Sequence, residues 1–151
     1  FQSLILDMSG NTGTQSLAVT IRVLNEEAIS GKEKLKFILK EMRIGLMNGL
    51  IIGTLAFVAV GLYLAFIPGA LAAGTPKYYG FEISACIGIS LVAGMLMASL
   101  DGTLVPIFFK KIGIDPAVAS GPLITTLNDL IAVCVYYGVS LLLFVQIGLF
   151  H

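Results

Sequence analysis

Long apolar runs alternate with short polar stretches along this chain of 151 residues. Residues 44–73, for example, contain no charged side chain. A helix needs about 20 apolar residues to cross a hydrocarbon core about 30 Å thick, so a run of this length is typical of a membrane span. The pattern predicts four spans, the first of them truncated, at about residues 1–24, 44–67, 83–109 and 117–150.

A shorter, basic pattern precedes the second span. Ser30 with Glu33 three residues later forms a capping box, which is typical of the start of a helix. Apolar residues then recur on one helical face, namely Leu35, Ile38, Leu39 and Met42. Residues 30–43 are therefore predicted to form a short amphipathic helix lying at the membrane surface. A connector on the aqueous side, with solvated lysines, is the alternative.

The composition agrees with a bilayer as solvent. Hydrophobic residues make up 57% of the chain and charged residues only 12%. The predicted fold class is an all-α integral membrane protein, a polytopic helix bundle that forms a single domain over residues 1–151. A net charge of zero, without a basic stretch interleaved with aromatic residues, argues against nucleic acid as a partner. Cys86 and Cys134 lie singly in apolar runs and are interpreted as small buried hydrophobic residues.

Lysine and arginine residues indicate the orientation, since loops on the cytoplasmic side carry an excess of them. These residues concentrate before the second span and after the third, whereas Lys77 alone lies between those two spans. Residues 25–43 and 110–116 are therefore predicted to be cytoplasmic, with residues 68–82 and the C-terminal His151 outside.

Acidic residues inside the spans are the candidates for chemistry, because a carboxylate at the bilayer centre costs about 3 kcal/mol or more unless it faces water or a partner. Asp129 lies about twelve residues into the fourth span, roughly 18 Å along a helix and close to the membrane centre. It shares a helical face with Thr125 and Thr126. Pro122, on the same face, is expected to leave the carbonyl of Val118 without its helical donor. A protonated Asp129 that packs against a neighbouring helix is the alternative.

Further polar residues accompany these spans. Tyr136 and Ser140 extend the face of Asp129, whereas Asn128 lies about 100° away, where it is expected to hydrogen-bond a neighbouring helix. Asp101 lies near the inner end of the third span. Its carboxylate is expected to be an ion ligand, to be hydrated, or to pair with a loop lysine.

The opening segment also carries many oxygen atoms. A helix there would present an oxygen-rich edge at a spacing of i, i+4, i+8, consisting of Asp7, Asn11 and Gln15 with Thr14 beside them. Gly10 and Gly13 interrupt this edge. They allow either the close approach of another helix or an opening of the backbone that points carbonyl groups into a cavity. Asp7 is interpreted as a second ion site at the outer mouth or as the partner of another helix.

These ligands favour a hard cation. The spans contain no histidine and no Cys/His cluster, which argues against zinc, copper and iron. A nucleophilic hydrolase lacks support, because no histidine or lysine lies at membrane depth beside a serine, so we do not expect an enzyme. Mg²⁺ keeps several of its waters and needs only one or two carboxylates, so it fits a pore lined by hydroxyl and carbonyl groups. A single Asp129 per chain suggests that two chains complete one site.

Two other functions are consistent with the same residues. One is an H⁺- or Na⁺-coupled secondary transporter of a small solute, with Asp129 as the coupling carboxylate. The other is a membrane assembly module that transports nothing. Ligand type alone also leaves Mn²⁺, Co²⁺ and Ni²⁺ open beside Mg²⁺.

Two stretches of the chain resemble one family. The sequence "SGNTGTQS" is similar to the Gly-Gly-Asn-x-Gly-x-Gln signature of the MgtE family of Mg²⁺ channels and transporters, with Ser9 in place of the usual first glycine. The sequence "GTLVPIFFKKIGIDPAVASGPLITTLND" resembles that family's later signature. The two signatures stand in the family's order, and the resemblance covers essentially the whole chain as the last four of five transmembrane helices.

The resemblance implies a homodimer in a bacterial or archaeal cell membrane, with a Mg²⁺ pore along its two-fold axis. The first and last segments of this chain would line that pore. The family's ion-binding aspartate corresponds to Asp129, with Thr125 one turn earlier on the pore wall. The signature asparagine corresponds to Asn11, and Gly10 to a glycine whose carbonyl is expected to meet the water shell of the ion. The cytosolic regulatory domains that are common in the family are absent from this sequence.

Overall fold

The computed structural model describes residues 1–26, 30–72, 74–119 and 122–147. These ranges contain α1 (Gln2–Glu26), α2 (Gly31–Phe66), α3 (Tyr78–Lys111) and α4 (Pro122–Ile147), with a short 3₁₀ turn (Pro116–Ala119) before α4. The described ranges contain no β-strand, so the predicted all-α fold is confirmed. The predicted end of the fourth span at residues 148–150, Gly121 and the orientation of His151 lie outside the described residues.

Three of the helices are long and apolar enough to cross a membrane, namely Gly31–Phe66, Tyr78–Lys111 and Pro122–Leu143. The chain is an integral membrane protein. The remaining helix, α1, has 25 residues and is about 37 Å long, which would also span a bilayer. The polar side chains of α1 lower its hydropathy, which is why α1 is not among the three helices identified by length and apolar composition.

The basic segment and the second span form one continuous helix, which differs from the separate interfacial helix expected from the sequence. The predicted capping box is present, and the backbone N–H of Ser30 donates to Oε2 of Glu33 at 2.8 Å. No proline follows before residue 68, so nothing ends the helix at Arg43. With 36 residues, α2 is about 54 Å long and exceeds the hydrocarbon core by about 24 Å.

The last helix begins later than the sequence pattern suggested. Residue 117 lies in the 3₁₀ turn, where its N–H donates to Oδ1 of Asp115 at 2.9 Å, and α4 starts only at Pro122. Proline at the start of a helix loses no hydrogen bond. Val118 belongs to the turn and not to α4, so its carbonyl does not have the position within the helix from which a missing donor was predicted. Asp129 lies about 10 Å along α4 rather than about 18 Å.

The four helices pack with alternating directions around α3, which contacts each of the others. Small residues form the seam between α2 and α3, where Gly45 lies against Ser99 and Gly53 against Gly88. Helices in lipid gain little from the hydrophobic effect between them, so close backbone approach and van der Waals contact hold them together. Because α2 and α3 run in opposite directions, the basic first turns of α2 and the basic last turn of α3 lie at the same end of the bundle. The C-terminal end of α1 lies there too.

Buried hydroxyl groups connect α1, α2 and α3 at one level. Ser99 in α3 donates to the backbone carbonyl of Glu41 in α2 at 2.7 Å, and its oxygen lies 3.1 Å from the hydroxyl oxygen of Ser16 in α1. Small apolar clusters lie on either side, one built on Ile5, Ile87 and Leu91 and the other on Leu17 and Ile124. Cys86 is buried as expected, whereas the prediction for Cys134 is wrong because its side chain is exposed on α4.

Candidate ion-binding site

The outward face of α1 is polar, unlike the outward face of α2. Most exposed side chains of α1 carry oxygen or nitrogen, namely Ser3, Asp7, Asn11, Thr14, Gln15, Arg22 and Asn25. Beyond Arg43, the exposed side chains of α2 are almost all apolar, among them Met47, Leu50, Ile51, Leu55 and Val58. Polar groups in contact with hydrocarbon are costly. The outward face of α1 is therefore suited to water or to another protein chain, whereas that of α2 is suited to lipid.

The sequence-predicted edge of α1 lies on this polar face. Asp7, Asn11, Thr14 and Gln15 are all exposed, as their helical spacing predicts. The hydroxyl of Thr14 donates to the carbonyl groups of Gly10 and Asn11, both at 3.0 Å. Those carbonyl groups are therefore accepting hydrogen bonds within the helix.

The two glycines of the motif have different surroundings. α1 continues as a regular helix through both, so the backbone does not open here. A Cβ atom on Gly13 would collide with the side-chain amide of Asn128, while one on Gly10 would meet no described atom within 4 Å. Of the two interpretations of the glycines, close helix approach thus describes Gly13. Gly10 leaves open space on the outward side of α1.

Asn128 is one of the residues through which α4 packs against α1. It is 1% exposed, and in the described part of the chain neither of its amide atoms has a hydrogen-bond partner. The prediction that Asn128 hydrogen-bonds a neighbouring helix is therefore wrong for the described residues, because its side chain packs against Gly13 instead. Gly13 is near the middle of the 25-residue α1. Asp129 follows Asn128 in α4 and is therefore level with the middle of α1.

Around Asp129, α4 presents both exposed and buried groups. The Asp129 side chain is half-buried, whereas Thr125 and Thr126 are exposed, and the Thr126 hydroxyl donates to the Pro122 carbonyl at 2.7 Å. Tyr136 packs on the cluster of Ile5, Ile87 and Leu91. The Ser140 hydroxyl lies 3.3 Å from the Cys86 sulfur. The face expected to continue from Asp129 through Tyr136 and Ser140 therefore turns into the bundle beyond the first turns of α4.

Asn11 and Gln15 also border a groove between α1 and α2. The groove has a volume of about 270 Å³ and contains a third carboxamide, Asn48 of α2. Sequence reasoning overlooked Asn48. Its signal was a single carboxamide within a long apolar run, which is uncommon because an amide in hydrocarbon needs a polar neighbour.

The acidic residue near the inner end of α3, Asp101, lies away from a cationic partner among the described residues. Its Oδ2 atom is buried without a hydrogen bond in that part of the chain. Lys110, the nearest lysine in sequence and part of the last turn of α3, donates instead to the backbone carbonyl of Leu24 at the end of α1. The expected pairing of Asp101 with that lysine is therefore not what the structure contains.

No group of three or more His, Cys, Asp or Glu side chains converges anywhere in the described ranges. One copy of this chain thus offers Asp129 as an isolated carboxylate, with hydroxyl and carboxamide groups on the same two helices. Such a set does not form a complete inner coordination shell for a divalent cation, which needs about six oxygen ligands. A divalent cation at these residues would need water or a second chain to supply the remainder.

Comparison with known proteins gives consistent matches. The family model MgtE, described as a divalent cation transporter, matches residues 2–139. Curated relatives named magnesium transporter MgtE, from Bacillus subtilis and Enterococcus faecalis, are 35% and 37% identical to this chain over 140 residues. A relative of the same name from Thermus thermophilus is 34% identical over 141 residues. The matches cover 93% of this chain and 28% of each relative.

Proposed function

Because this chain belongs to the MgtE family of divalent cation transporters, we propose that two copies of it form a path for Mg²⁺ across the bilayer. The observation that carries this proposal is the polar outward face of α1 in a chain whose other outward faces are largely apolar. Two such faces that meet across a two-fold axis would enclose a hydrated space and remove polar groups from lipid.

Asp129 supplies the charge in this proposal. Two copies bring two carboxylates to the axis, and their combined charge balances one Mg²⁺. The middle of α1 lies at the same level, so Asp129 would sit beside the oxygen-rich stretch of that helix. Mg²⁺ dehydrates reluctantly. The Thr125 hydroxyl and the Asn11 carboxamide would therefore act on the water shell of the ion rather than replace it.

The remaining predicted site residues have supporting roles. Gly10, with open space on its outer side, leaves room for a hydrated ion beside α1. Asp7 is exposed near the start of α1 and would attract cations at the outer mouth. Basic residues at the end of the bundle shared by α2 and α3 support a cytoplasmic position for residues 25–43 and 110–116.

Substitution of Asp129 tests the proposal. Even at the dielectric constant of water, a carboxylate about 5 Å from a divalent ion contributes about 1.7 kcal/mol. Loss of two such charges should therefore weaken Mg²⁺ binding about 300-fold. We expect Asp129→Asn to abolish Mg²⁺ uptake into proteoliposomes that contain a Mg²⁺-sensitive dye, measured at low Mg²⁺. The elution volume of this variant in size-exclusion chromatography and its helix content should equal those of the unmodified chain.

Asp101→Asn is the matched control, because it removes a helix carboxylate of which one oxygen is buried within the bundle. It should retain most of the uptake. Undiminished uptake in Asp129→Asn, or equal loss in both variants, would contradict the proposed site. Uptake driven by a pH gradient in the absence of a Mg²⁺ gradient would instead favour a coupled secondary transporter.

A further inference from the structure

A basic and apolar stripe runs along one exposed face of α2. Lys36, Lys40 and Arg43 follow one another at i, i+4 and i+7, and all three are exposed. Leu39, Ile44 and Met47 share this face, and the six side chains line a shallow depression of about 380 Å³. We propose that this depression binds an anionic phospholipid, with its phosphate on the basic side chains and an acyl chain along Ile44 and Met47.

The position of the stripe along α2 matches the boundary of a bilayer. From Ile44 to the end of the helix at Phe66 there is no charged residue. A headgroup layer is about 5–8 Å thick on each side of the hydrocarbon core. Arg43 and Lys40 lie about 2 Å and 6 Å beyond Ile44 along the axis, within that layer, and Lys36 lies about 12 Å beyond it. The long lysine side chain can reach back toward the phosphates.

Neither of the two carboxylates of this helix, Glu33 and Glu41, lines the depression. Glu33 accepts a hydrogen bond from the backbone N–H of Ser30 at 2.8 Å in the capping box. Glu41 is 3% exposed and lies on the side of α2 that faces α3, where Ser99 bonds its backbone carbonyl. The three cations therefore present a net positive field to the headgroup layer.

The apolar half of the depression favours a lipid over a free anion or an acidic protein segment. Leu39, Ile44 and Met47 are 46%, 42% and 62% exposed, and two of them lie on the hydrocarbon side of the basic residues. A phosphate ion would leave these side chains without a partner. A phospholipid has the same order of groups along the membrane normal, with a negative headgroup above an acyl chain. Basic residues next to a membrane span commonly recognise such headgroups.

The expected contribution of each basic residue is about a 5-fold preference for an anionic over a zwitterionic lipid. The three together should give a preference of about 100-fold. The test uses the full chain in detergent, titrated with phosphatidylglycerol or phosphatidylcholine, with bound lipids counted by native mass spectrometry.

The variant Lys36→Gln/Lys40→Gln/Arg43→Gln should lose most of the preference for phosphatidylglycerol. The control Lys32→Gln/Lys34→Gln/Lys111→Gln removes the same number of charges from positions outside the depression and should keep it. The single variant Lys40→Gln, which alters only one exposed side chain, should lose about 5-fold and guards against misfolding of the triple variant.

Three outcomes would overturn the proposal. The first is an unchanged preference in the triple variant, and the second is an equal loss in the control, which would mean that only net charge matters. The third is complete displacement of the lipid by an excess of inorganic phosphate, which would identify a site for free anions. Because none of these measurements involves Mg²⁺ uptake, they are independent of the proposed transport function.

Discussion

A single methyl group placed between α2 and α3 should weaken the bundle. In Gly53→Ala the new Cβ atom would lie 2.7 Å from the backbone oxygen of Gly88 and 3.0 Å from Cγ2 of Val92. Ordinary van der Waals contact begins at about 3.4 Å, so the helices must move apart by about 0.7 Å at this point. The contact atom belongs to the backbone of α3 and cannot rotate away.

The size of the effect follows from two opposing contributions. Overpacking of a well-packed interior costs about 1–3 kcal/mol. Alanine in place of glycine within a helix returns about 0.5–1 kcal/mol. Gly138→Ala in α4 offers a matched control, because no described atom lies within 4 Å of the added methyl group. The helix contribution is the same in both variants, so the difference between them, about 1–3 kcal/mol, measures the overpacking.

Reversible unfolding in mixed micelles, with increasing dodecyl sulfate and far-UV circular dichroism as the readout, measures these free energies. We expect Gly53→Ala to be less stable than the unmodified chain or about equal to it, and Gly138→Ala to be more stable by about 0.5–1 kcal/mol. A Gly53→Ala variant as stable as Gly138→Ala would refute the inference that backbone contact between glycines holds α2 to α3.

Two other predictions concern the motif helix and its partner. Gly13→Ala should displace the Asn128 side chain, reduce Mg²⁺ uptake in proteoliposomes and lower stability by about 1–2 kcal/mol. The control Gly10→Ala should leave stability unchanged or raised. Equal stability of the two variants would contradict the α1–α4 contact. In a background with Cys134→Ser, Thr14→Cys should form a disulfide-linked dimer under mild oxidation in membranes, because the polar face of α1 is proposed to meet its counterpart in a second copy. Leu55→Cys, on the apolar face of α2, is the control, and equal cross-linking of both positions would contradict a dimer through α1.

Much of the helical organisation could be predicted from the sequence because its signals are local. A run such as residues 44–73 has too few polar groups to remain in water, and it is more than long enough to cross the hydrocarbon core. The capping box at Ser30 was equally readable, because both of its members lie within one turn. The errors in the predicted helix boundaries also came from the local nature of these signals. Hydropathy marks where a membrane begins, but α2 continues as a helix past that boundary, and α4 begins only after a separate turn.

The candidate site was predictable only in part. The helical spacing placed Asp7, Asn11 and Gln15 on one edge of α1, and that edge is exposed as expected. The spacing could not show which side of α4 faces the bundle. Tyr136 therefore lies in an apolar cluster although it shares the predicted stripe with Asp129.

By itself, the sequence determined that this protein crosses a membrane, that its chain is helical, and that it belongs with divalent cation transporters. Those properties depend on hydrophobicity, hydrogen bonding within the chain and short signatures, which act over one or a few turns. Only the tertiary structure decided that Gly13 packs on Asn128 while Gly10 remains open, and that the polar face of α1 points away from the bundle. Such choices depend on contacts between residues more than a hundred positions apart, which helix periodicity does not encode.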